Sequence, residues 1–357
     1  MNHKHIITII KVTENCNFDC SYCLRNVKVS PKISINTIDT YFKKLSQFRQ
    51  FESIQNIWHG GEPLLMGVDF FREVMAIAKH YFPNTRIVNS IQTNGYLLDR
   101  YIDFLKNSNM GVGISLDGPK DINSQRVLKN GKSPFDKIID NMRLLRENKI
   151  HYGIVGVLTS KAIGNEMRIY DFLKSVSSGA RLNLVSPDGL NKENVSSKGV
   201  VLSVSEAANL LVTFYDIWKT DKPDNGLVFQ LKPFTEIVES IFTGKNSVCE
   251  FSKGCENFLC LGCDGSIYPC GRFSSNDDFC MGNINEIGFN EIFKSSVEKI
   301  RIARLANVEK QCYNCQYKGI CQGGCAHHSF AFGNYNEKTP YCGAYRILFE
   351  HIKNSLS

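Results

Sequence analysis

The chain of 357 residues contains no apolar run that approaches the ~20 residues needed to cross a bilayer. Its N-terminal stretch IITII is too short for a signal-peptide core and is followed directly by Lys11. A block of consecutive Lys and Arg residues, as in nucleic-acid-binding tails, is also absent, although the formal net charge is +7. We therefore expect a cytoplasmic protein with neither a membrane nor a nucleic acid among its partners.

Cysteine, in contrast, is abundant, with 14 residues of this type in the chain. Cytosolic thiols are kept reduced, so this number argues for metal ligation rather than for disulfide bonds. The secreted, disulfide-rich alternative lacks a visible export signal. Most of the cysteines lie from Cys249 onward, which indicates a separate metal-binding part at the C-terminal side.

The first half of the chain alternates short apolar runs with amphipathic helical patterns, which predicts parallel β/α units. Six such units indicate an α/β fold, a partial (β/α)6 TIM barrel, with its chemistry at the C-terminal ends of the strands. We predict the barrel over residues 1–219, a bridge over 220–248 and a cysteine-rich domain over 249–357. The polar stretch 188–198 is expected to be a surface loop, either mobile or covering the site. The predicted strands are residues 5–12, 53–58, 86–92, 111–116, 152–158 and 181–185.

Three cysteines, Cys16, Cys20 and Cys23, follow the first predicted strand in the run CNFDCSYC. Three thiolates can hold three irons of a cubic [4Fe–4S] cluster and leave the fourth iron free for a substrate or cofactor. A structural zinc site is the alternative. Zinc prefers four ligands, however, and no fourth Cys or His lies close by on the C-terminal side of the three.

This spacing, with Tyr22 just before the last cysteine, is typical of the radical S-adenosylmethionine (SAM) enzymes, and the chain resembles that superfamily. The GGEP run after the second predicted strand matches the second motif of the superfamily. Gly60 and Gly61 would let the backbone approach SAM closely. Glu62, before Pro63, or nearby carbonyls would accept hydrogen bonds from the SAM ammonium group.

The resemblance implies further SAM contacts that are softer matches. The backbone of Tyr22 should face the adenine, Ser115 in ISLDGP the ribose or carboxylate, and Arg126 the carboxylate. A strand-end turn residue and a solvated surface charge are the alternatives for Ser115 and Arg126. The catalytic residue stays open, with Gln92, at a strand end facing the expected cavity, and Arg25 as candidates.

Residues 249–342 resemble a SPASM domain, the tail that holds two auxiliary [4Fe–4S] clusters in many peptide-modifying radical SAM enzymes. The resemblance is carried by a predicted hairpin, CDGSIYPC, and by a C-x2-C-x5-C-x3-C run, with a zinc ribbon as the alternative. Cys260, Cys263 and Cys280 are left over, and the first two could displace Cys249 or Cys255 as ligands. The spacings are similar to those of anaerobic sulfatase maturases, which implies Cys249, Cys255, Cys270 and Cys325 for the first auxiliary cluster and Cys312, Cys315, Cys321 and Cys342 for the second.

One departure from that pattern bears on the reaction. Sulfatase maturases have an aspartate, their catalytic base, directly after the cysteine that Cys270 matches, whereas this chain has Gly271. Glycine cannot remove a proton. The tyrosine expected shortly after the N-terminal cysteines is also absent, since Leu24 and Arg25 follow Cys23. Sulfatase maturation is therefore the second choice.

We expect a peptide maturase with three [4Fe–4S] clusters. The first, reduced by a flavodoxin or ferredoxin, would cleave SAM to a 5′-deoxyadenosyl radical that takes hydrogen from a ribosomally made peptide. An auxiliary cluster would take the second electron as a carbon–carbon or thioether cross-link forms. The alternatives are a formylglycine-generating sulfatase maturase, a peptide epimerase with a leftover cysteine as hydrogen donor, and a non-enzymatic iron–sulfur or zinc protein.

The short segments before Cys16 and after Cys342 bear on how the enzyme would bind its precursor peptide. Neither end holds the ~80 residues of a leader-recognition domain of the winged-helix kind. The precursor peptide is therefore expected to bind in the cleft between barrel and tail or through a separate leader-recognition protein.

Overall fold

The computed structural model describes residues 4–24, 31–187, 200–221, 228–244, 248–251, 255, 257–274 and 276–356. Its first half is a regular alternation of strands and helices. These elements are β1 (His5–Thr13), α1 (Ile35–Phe48), β2 (Ser53–Gly60), α2 (Val68–Tyr81), β3 (Arg86–Thr93), α3 (Ile102–Ser108), β4 (Gly111–Ser115), α4 (Phe135–Glu147), β5 (Tyr152–Leu158), α5 (Glu166–Val176) and β6 (Gly179–Leu184).

The second half begins with a long helix and then becomes rich in short elements. They are α6 (Val204–Thr220), β7 (Gln230–Lys232), α7 (Phe234–Thr243), β8 (Phe258–Leu261), β9 (Ser266–Tyr268), β10 (Gly282–Asn283), α8 (Phe289–Ile292), α9 (Ser296–Gln311), α10 (Lys318–Cys321), α11 (Ala326–Ala331) and α12 (Cys342–Leu356). None of the helices in the described part of the chain is long and apolar enough to span a membrane.

The ten strands found among the described residues form one sheet, in the order β10-β9-β8-β1-β2-β3-β4-β5-β6-β7. Strands β1 to β6 pair in parallel with their neighbours, which confirms the predicted α/β fold with a parallel sheet. The sheet also extends beyond the predicted six strands. On one side β7, which lies in the predicted bridge, pairs with β6, and on the other side β8, from the cysteine-rich part, pairs in parallel with β1.

The sequence did not predict that β7 and β8 extend the barrel sheet, because a strand of three or four residues is too short to show a periodic pattern of apolar residues. The predicted hairpin is present as β8 and β9, which pair antiparallel. Since β8 is hydrogen-bonded to β1, the barrel and the cysteine-rich part share a sheet. The boundaries of the three segments remain a prediction, and the predicted loop 188–198 lies outside the described residues.

Local signals explain why the helices begin where they do. The Ser34 side chain accepts a hydrogen bond from the Thr37 backbone N–H and caps α1. Ser203 and Glu206 form a reciprocal capping box at the start of α6.

The two faces of the barrel strands differ in burial, and this defines the site. On β2, Ile54 and Trp58 are fully buried, and the Trp58 ring packs edge-on against Phe71 of α2. The alternate residues of this strand are only half-buried, and the same alternation continues on β4 and β5. The half-buried side chains face away from the helices, into the space that we call the lumen.

Candidate active site

The three N-terminal cysteines lie just beyond the end of β1, where the sequence places them at the C-terminal rim of the barrel. Cys16 is buried, and Cys20 and Cys23 are partly buried. Burial raises the pKa of the Cys20 thiol to about 12; the Arg126 charge opposes this, while the nearby Cys23 and Cys16 thiols add to it. The structure therefore brings the three sulfurs together, and we call them the N-terminal thiol group.

These donors fit a cluster better than a single ion. Buried thiols with raised pKa values bind as thiolates only where a cationic metal offsets the cost of burial. Within the described residues, no three His, Cys, Asp or Glu side chains stand close enough together to hold one metal ion. A cubane does not require that, because each cysteine binds a different iron.

Asn94, at the end of β3, is a neighbour of this group that the sequence assigned only to a turn. Its Nδ2 lies 3.8 Å from the Cys16 Sγ and 2.8 Å from the Asn17 Oδ1. The Phe18 backbone N–H also donates to the Cys16 Sγ, at 3.4 Å. Hydrogen bonds to a ligand sulfur tune the potential of a bound cluster.

The GGEP turn lies directly against the backbone before Cys16. The Gly61 N–H donates to the Thr13 carbonyl and the Glu62 N–H to the Asn15 carbonyl, both at 2.7 Å. A Cβ on Gly60 would stand 2.2 Å from the Thr13 oxygen, and one on Gly61 would stand 2.2 Å from the Asn15 oxygen. Glycine is therefore required at positions 60 and 61 because the turn packs closely against the backbone of residues 13–15.

Glu62 is placed differently from the sequence expectation. Its carboxylate is fully buried and accepts hydrogen bonds from Leu64 N at 3.0 Å, Thr93 Oγ1 at 2.7 Å and Asn94 N at 2.8 Å. Burial raises its pKa to about 7, and these hydrogen bonds oppose that rise. The side chain joins the ends of β2 and β3, and Pro63 begins the short 3-10 turn that it caps. The backbone carbonyls are left as acceptors for an ammonium group.

Arg126 is buried rather than solvated, and it pairs with a residue that sequence reasoning missed. Its Nε lies 3.1 Å from Asp117 Oδ2 and its Nη2 lies 2.8 Å from Asp117 Oδ1. The Tyr22 hydroxyl also donates to Asp117, and the Arg126 guanidinium lies 5.4 Å from the centroid of the Tyr22 ring. Asp117 stands in the same ISLDGP run that suggested Ser115, which was the available signal.

Ser115 and Gln92 face each other across neighbouring strands on the lumen side. The Gln92 Nε2 donates to the Ser115 Oγ at 2.9 Å. A Cβ on Gly113 would stand 2.3 Å from the Gln92 Oε1, so any larger residue at position 113 would clash with the Gln92 carboxamide. The other catalytic candidate, Arg25, lies outside the described residues.

A second polar set lies at the β1 end of the lumen. Lys11 Nζ and Glu14 Oε1 form a buried ion pair at 3.1 Å, and the Cys263 thiol donates to the Lys11 carbonyl at 3.1 Å. Burial and then the Lys11 charge lower the pKa of His59 to about 4. Its Nδ1 accepts from the Gly60 N–H at 2.7 Å, so the neutral ring carries its proton on Nε2.

Four cysteines from three separate parts of the tail are close to one another. Burial raises the pKa of the Cys249 thiol to about 12, with Cys270 and Cys325 adding to the rise. Burial, and then the other three thiols, raise the pKa of the Cys255 thiol well above its usual range. These four residues, Cys249, Cys255, Cys270 and Cys325, are the first four-thiol group.

The second four-thiol group is formed by Cys312, Cys315, Cys321 and Cys342. These four cysteines line one small cavity, and the thiols of Cys342, Cys312 and Cys315 add to the burial that raises the pKa of Cys321 to about 12. The three leftover cysteines are placed otherwise. Cys260 is fully buried on β8, and Cys280 lies 3.8 Å from the Gly282 carbonyl.

The position after Cys270 is a glycine that lies close to the Ile9 side chain. A Cβ built on Gly271 would stand 3.1 Å from Ile9 Cγ2 and 3.2 Å from Ile9 Cδ1. The next residue, Arg272, donates from Nη1 to the buried His328 Nε2 at 3.0 Å.

Comparison with known proteins agrees with this geometry. The family profile described as the radical SAM superfamily matches residues 10–161, and the SPASM iron–sulfur cluster-binding domain matches residues 249–316. The cysteine-type anaerobic sulfatase-maturating enzyme of Clostridium novyi is 30% identical over 364 residues, which cover 97% of this chain and 95% of that protein. The chain belongs to the radical SAM superfamily.

Solved structures show the same relationship. A structure of native anSMEcpe with bound AdoMet and Kp18Cys peptide has a TM-score of 0.85 at 26% identity and covers 99% of this chain and 98% of that one. Streptococcus suis SuiB bound to the precursor peptide SuiA shares the fold, with a TM-score of 0.64 at 16% identity, over 94% and 75% of the two chains. The chain is thus a radical SAM enzyme with a SPASM domain. The enzyme binds SAM and iron–sulfur clusters.

Proposed function

We propose that this radical SAM enzyme oxidatively cross-links a ribosomally made peptide, through a carbon–carbon or thioether bond. The N-terminal thiol group would hold the cluster that binds SAM, and each four-thiol group would hold one auxiliary [4Fe–4S] cluster, three in all. When bound, the reduced N-terminal cluster and SAM supply a 5′-deoxyadenosyl radical that removes a hydrogen atom from the peptide. The proposed ligand sets are those that the resemblance to anaerobic sulfatase maturases implies, and the proximity of the thiols within each set supports them.

The chain's own residues around the N-terminal thiol group fit SAM. Carbonyls of the GGEP turn are available to the ammonium group, since the Glu62 carboxylate is already hydrogen-bonded inside the turn. Asp117 holds the Nε and Nη2 of Arg126. The remaining Nη1 makes no hydrogen bond within the described residues, and we assign it to the SAM carboxylate, with Ser115 beside it.

We assign the peptide segment to the lumen as well. The core of a packed TIM barrel is filled by bulky branched side chains. Here the lumen faces of β4 and β5 include the small residues Gly113, Ser115 and Gly153, which are only half-buried. The anSMEcpe structure was solved with a peptide bound, which supports a peptide as the substrate.

The glycine at position 271 is the observation that favours cross-linking over formylglycine formation. A general base must lie within hydrogen-bond reach of the proton that it removes, and glycine offers no such group. An aspartate there would also need the Ile9 side chain to shift by a few tenths of an ångström, because its Cβ alone would come within 3.1 Å of Ile9 Cγ2. The base of the sulfatase pattern is therefore absent.

Two four-thiol groups agree with a net oxidation. After one hydrogen atom has left the peptide as part of 5′-deoxyadenosine, bond formation releases one more electron and one proton. The first four-thiol group would hold the acceptor for that electron, since Cys270 adjoins Gly271 and Gly271 touches Ile9 of β1. A flavodoxin or ferredoxin would supply the electron for SAM cleavage, and a separate protein would present the leader of the precursor peptide.

The test is anaerobic incubation of the reconstituted enzyme with SAM, a reductant and the small peptide encoded beside its gene, in heavy water. Cross-linking predicts 5′-deoxyadenosine and a peptide that has lost two hydrogen atoms without taking up deuterium. The Cys16→Ala variant should give neither product. Cys280→Ala is the matched control and should give both, because the Cys280 thiol lies against the Gly282 carbonyl, apart from the three thiol groups.

Other outcomes would replace the proposal. Gain of one deuterium and no other change would indicate an epimerase, with Cys263 as the first residue to substitute because its thiol lies beside the Lys11–Glu14 pair. Conversion of a sulfatase-derived Cys or Ser peptide to formylglycine would indicate a sulfatase maturase. That second function is favoured by the 30% identity to the Clostridium novyi enzyme.

A further inference from the structure

Arg304 of α9 is a deeply buried cation, with 2% of its surface exposed. Its guanidinium donates to the Tyr335 carbonyl at 2.9 Å, the Glu337 carbonyl at 3.3 Å and the Ser329 Oγ at 3.4 Å. It also lies 5.7 Å from the centroid of the Tyr335 ring. All these partners are neutral, and no carboxylate in the described part of the chain forms an ion pair with Arg304.

A buried charge without an opposite charge is expensive, so an anion is expected near Arg304. The two four-thiol groups are the candidates for this anion. The Arg304 Nη2 donates to the Ser329 Oγ, which itself donates to the carbonyl of Cys325 in the first group at 3.3 Å, and Cys312 of the second group is the C-cap of the same helix. Burial lowers the pKa of Arg304, whereas Tyr335, Cys325, Cys255 and Cys312 oppose that change, which agrees with this position.

Arg301, one turn earlier on the same helix, shows the contrast. It is 8% exposed, and its Nε and Nη2 donate to the Glu298 carboxylate at 2.8 and 2.5 Å. Its charge is thus balanced by a neighbouring side chain. The helix carries two buried arginines, of which one has a carboxylate and the other faces the cysteines.

We propose that Arg304 is the shared counter-cation of the two auxiliary clusters and holds both of their reduction potentials above the values that they would have without it. The proposal rests on the cluster assignment made under the proposed function. An oxidised cluster with four thiolates carries a net charge of −2, which gives Arg304 the anion that it lacks. Reduction adds a negative charge, so a nearby cation stabilises the reduced state and raises the potential.

Arg272 provides a comparison within the same domain. Burial lowers the pKa of Arg272, but the nearby Cys325 thiol, the Glu250 carboxylate and the Cys270 and Cys249 thiols raise it above its usual range, and these three cysteines all belong to the first four-thiol group. Its hydrogen bond to His328 fixes the guanidinium in place. Removing Arg272 should therefore affect the first auxiliary cluster alone, whereas removing Arg304 should affect both.

The experiment is a potentiometric titration of the reconstituted full-length enzyme, followed by EPR. R304M should lower the midpoint potentials of both auxiliary clusters and leave that of the N-terminal cluster unchanged. R304K, which keeps the charge, should stay close to wild type. R272M should lower only the first auxiliary potential. The matched control R301M, which removes an arginine that Glu298 balances, should change none of the three.

The proposal is overturned if R304M keeps both auxiliary potentials while iron content shows all clusters loaded, or if R301M shifts them as much as R304M does. Should R304M fail to fold, R304Q keeps an amide donor for the Tyr335 carbonyl and removes the same charge. Wild-type protein with iron for one cluster only would overturn the cluster assignment as well. Iron analysis therefore separates the two failures.

Discussion

Replacing Gly61 by alanine is expected to open the turn that holds the end of β2 against the segment before Cys16. The new Cβ would stand 2.2 Å from the Asn15 carbonyl oxygen, 2.6 Å from the Asn15 carbonyl carbon and 2.7 Å from the Glu14 oxygen. Ordinary contact begins at 3.4 Å, so the Asn15 carbonyl would have to move by about 1.2 Å, the difference between 3.4 and 2.2 Å. This carbonyl accepts a hydrogen bond from the Glu62 N–H just beyond the end of β1, so it cannot move that far cheaply.

The expected loss of stability can be worked from these contacts. The movement breaks the 2.7 Å hydrogen bond from Glu62 N to the Asn15 carbonyl and strains the one from Gly61 N to the Thr13 carbonyl. Two such bonds contribute about 2 kcal/mol net, and overpacking adds about 2 kcal/mol, which gives about 4 kcal/mol. Because Cys16 follows Asn15 directly, the N-terminal thiol group should also lose its geometry and bind less iron.

Urea unfolding of the metal-free protein measures the first effect, and iron analysis after reconstitution measures the second. Gly153→Ala in β5 is the matched control, since its Cβ would meet only the Gly179 oxygen at 3.8 Å, and its stability should stay within about 1 kcal/mol of wild type. A Gly61→Ala protein as stable as the Gly153→Ala protein, with full iron content, would refute the reasoning.

Three further predictions concern the same site. Asn94→Leu removes the amide from the Cys16 sulfur and should lower the midpoint potential of the N-terminal cluster in an EPR titration; an unchanged potential contradicts the assignment. The folded pKa of Glu62, about 7 against an ordinary 4.5, means that its proton stabilises the native state below pH 4.5 and is lost as the pH rises through 7, so stability should fall by about 3 kcal/mol over that window. Urea titrations at several pH values should show this slope in wild type and lose it in Glu62→Gln, and equal slopes would count against it. Gly271→Asp should cost about 1–2 kcal/mol and yield no formylglycine from a sulfatase peptide by mass spectrometry, whereas adding Ile9→Val should recover part of the stability.

The barrel strands could be predicted because they are buried on the helix side and flanked by turn residues. Strand β5 has the predicted bounds 152–158, and the starts of β1 to β4 also agree with the sequence pattern. What the sequence did not reveal is pairing between distant short segments. The contact of β8 with β1 depends on a register of four residue pairs between segments about 250 positions apart, and no local pattern encodes it.

The candidate site, too, was predictable in part: the sequence identified the cysteines but not the directions of the other side chains. Cysteine spacing was informative because a cluster constrains which residue type must stand at each position, and the two four-thiol groups contain the residues that the spacing suggested. Side-chain direction was not available from the sequence. The sequence therefore could not decide between Glu62 and nearby carbonyls as acceptors for the SAM ammonium group, although the Glu62 carboxylate points into the protein. Arg126 was predicted to pair with the SAM carboxylate, with a solvated surface charge as the alternative, and its buried pairing with Asp117 carried no sequence signal of its own.

Residues that act on the cysteines without binding metal were also missed. Asn94 stands in a run that resembles a simple turn, and Arg304 lies in a helix whose apolar pattern is weak, so neither carried a local signal. Their importance follows from what they contact across the fold, at Cys16 and between the two four-thiol groups.

The measurement closest to the central claim is the EPR spectrum of the reduced enzyme with and without SAM. Substitution of Cys255, Cys270, Cys312 and Cys342 by alanine simplifies the spectrum, since it removes two ligands from each four-thiol group and leaves neither with the three thiolates that hold a cubane. Our account predicts that SAM changes the g values of the remaining N-terminal cluster signal, because one of its irons has no protein ligand. A signal that is identical in the presence and absence of SAM would contradict it.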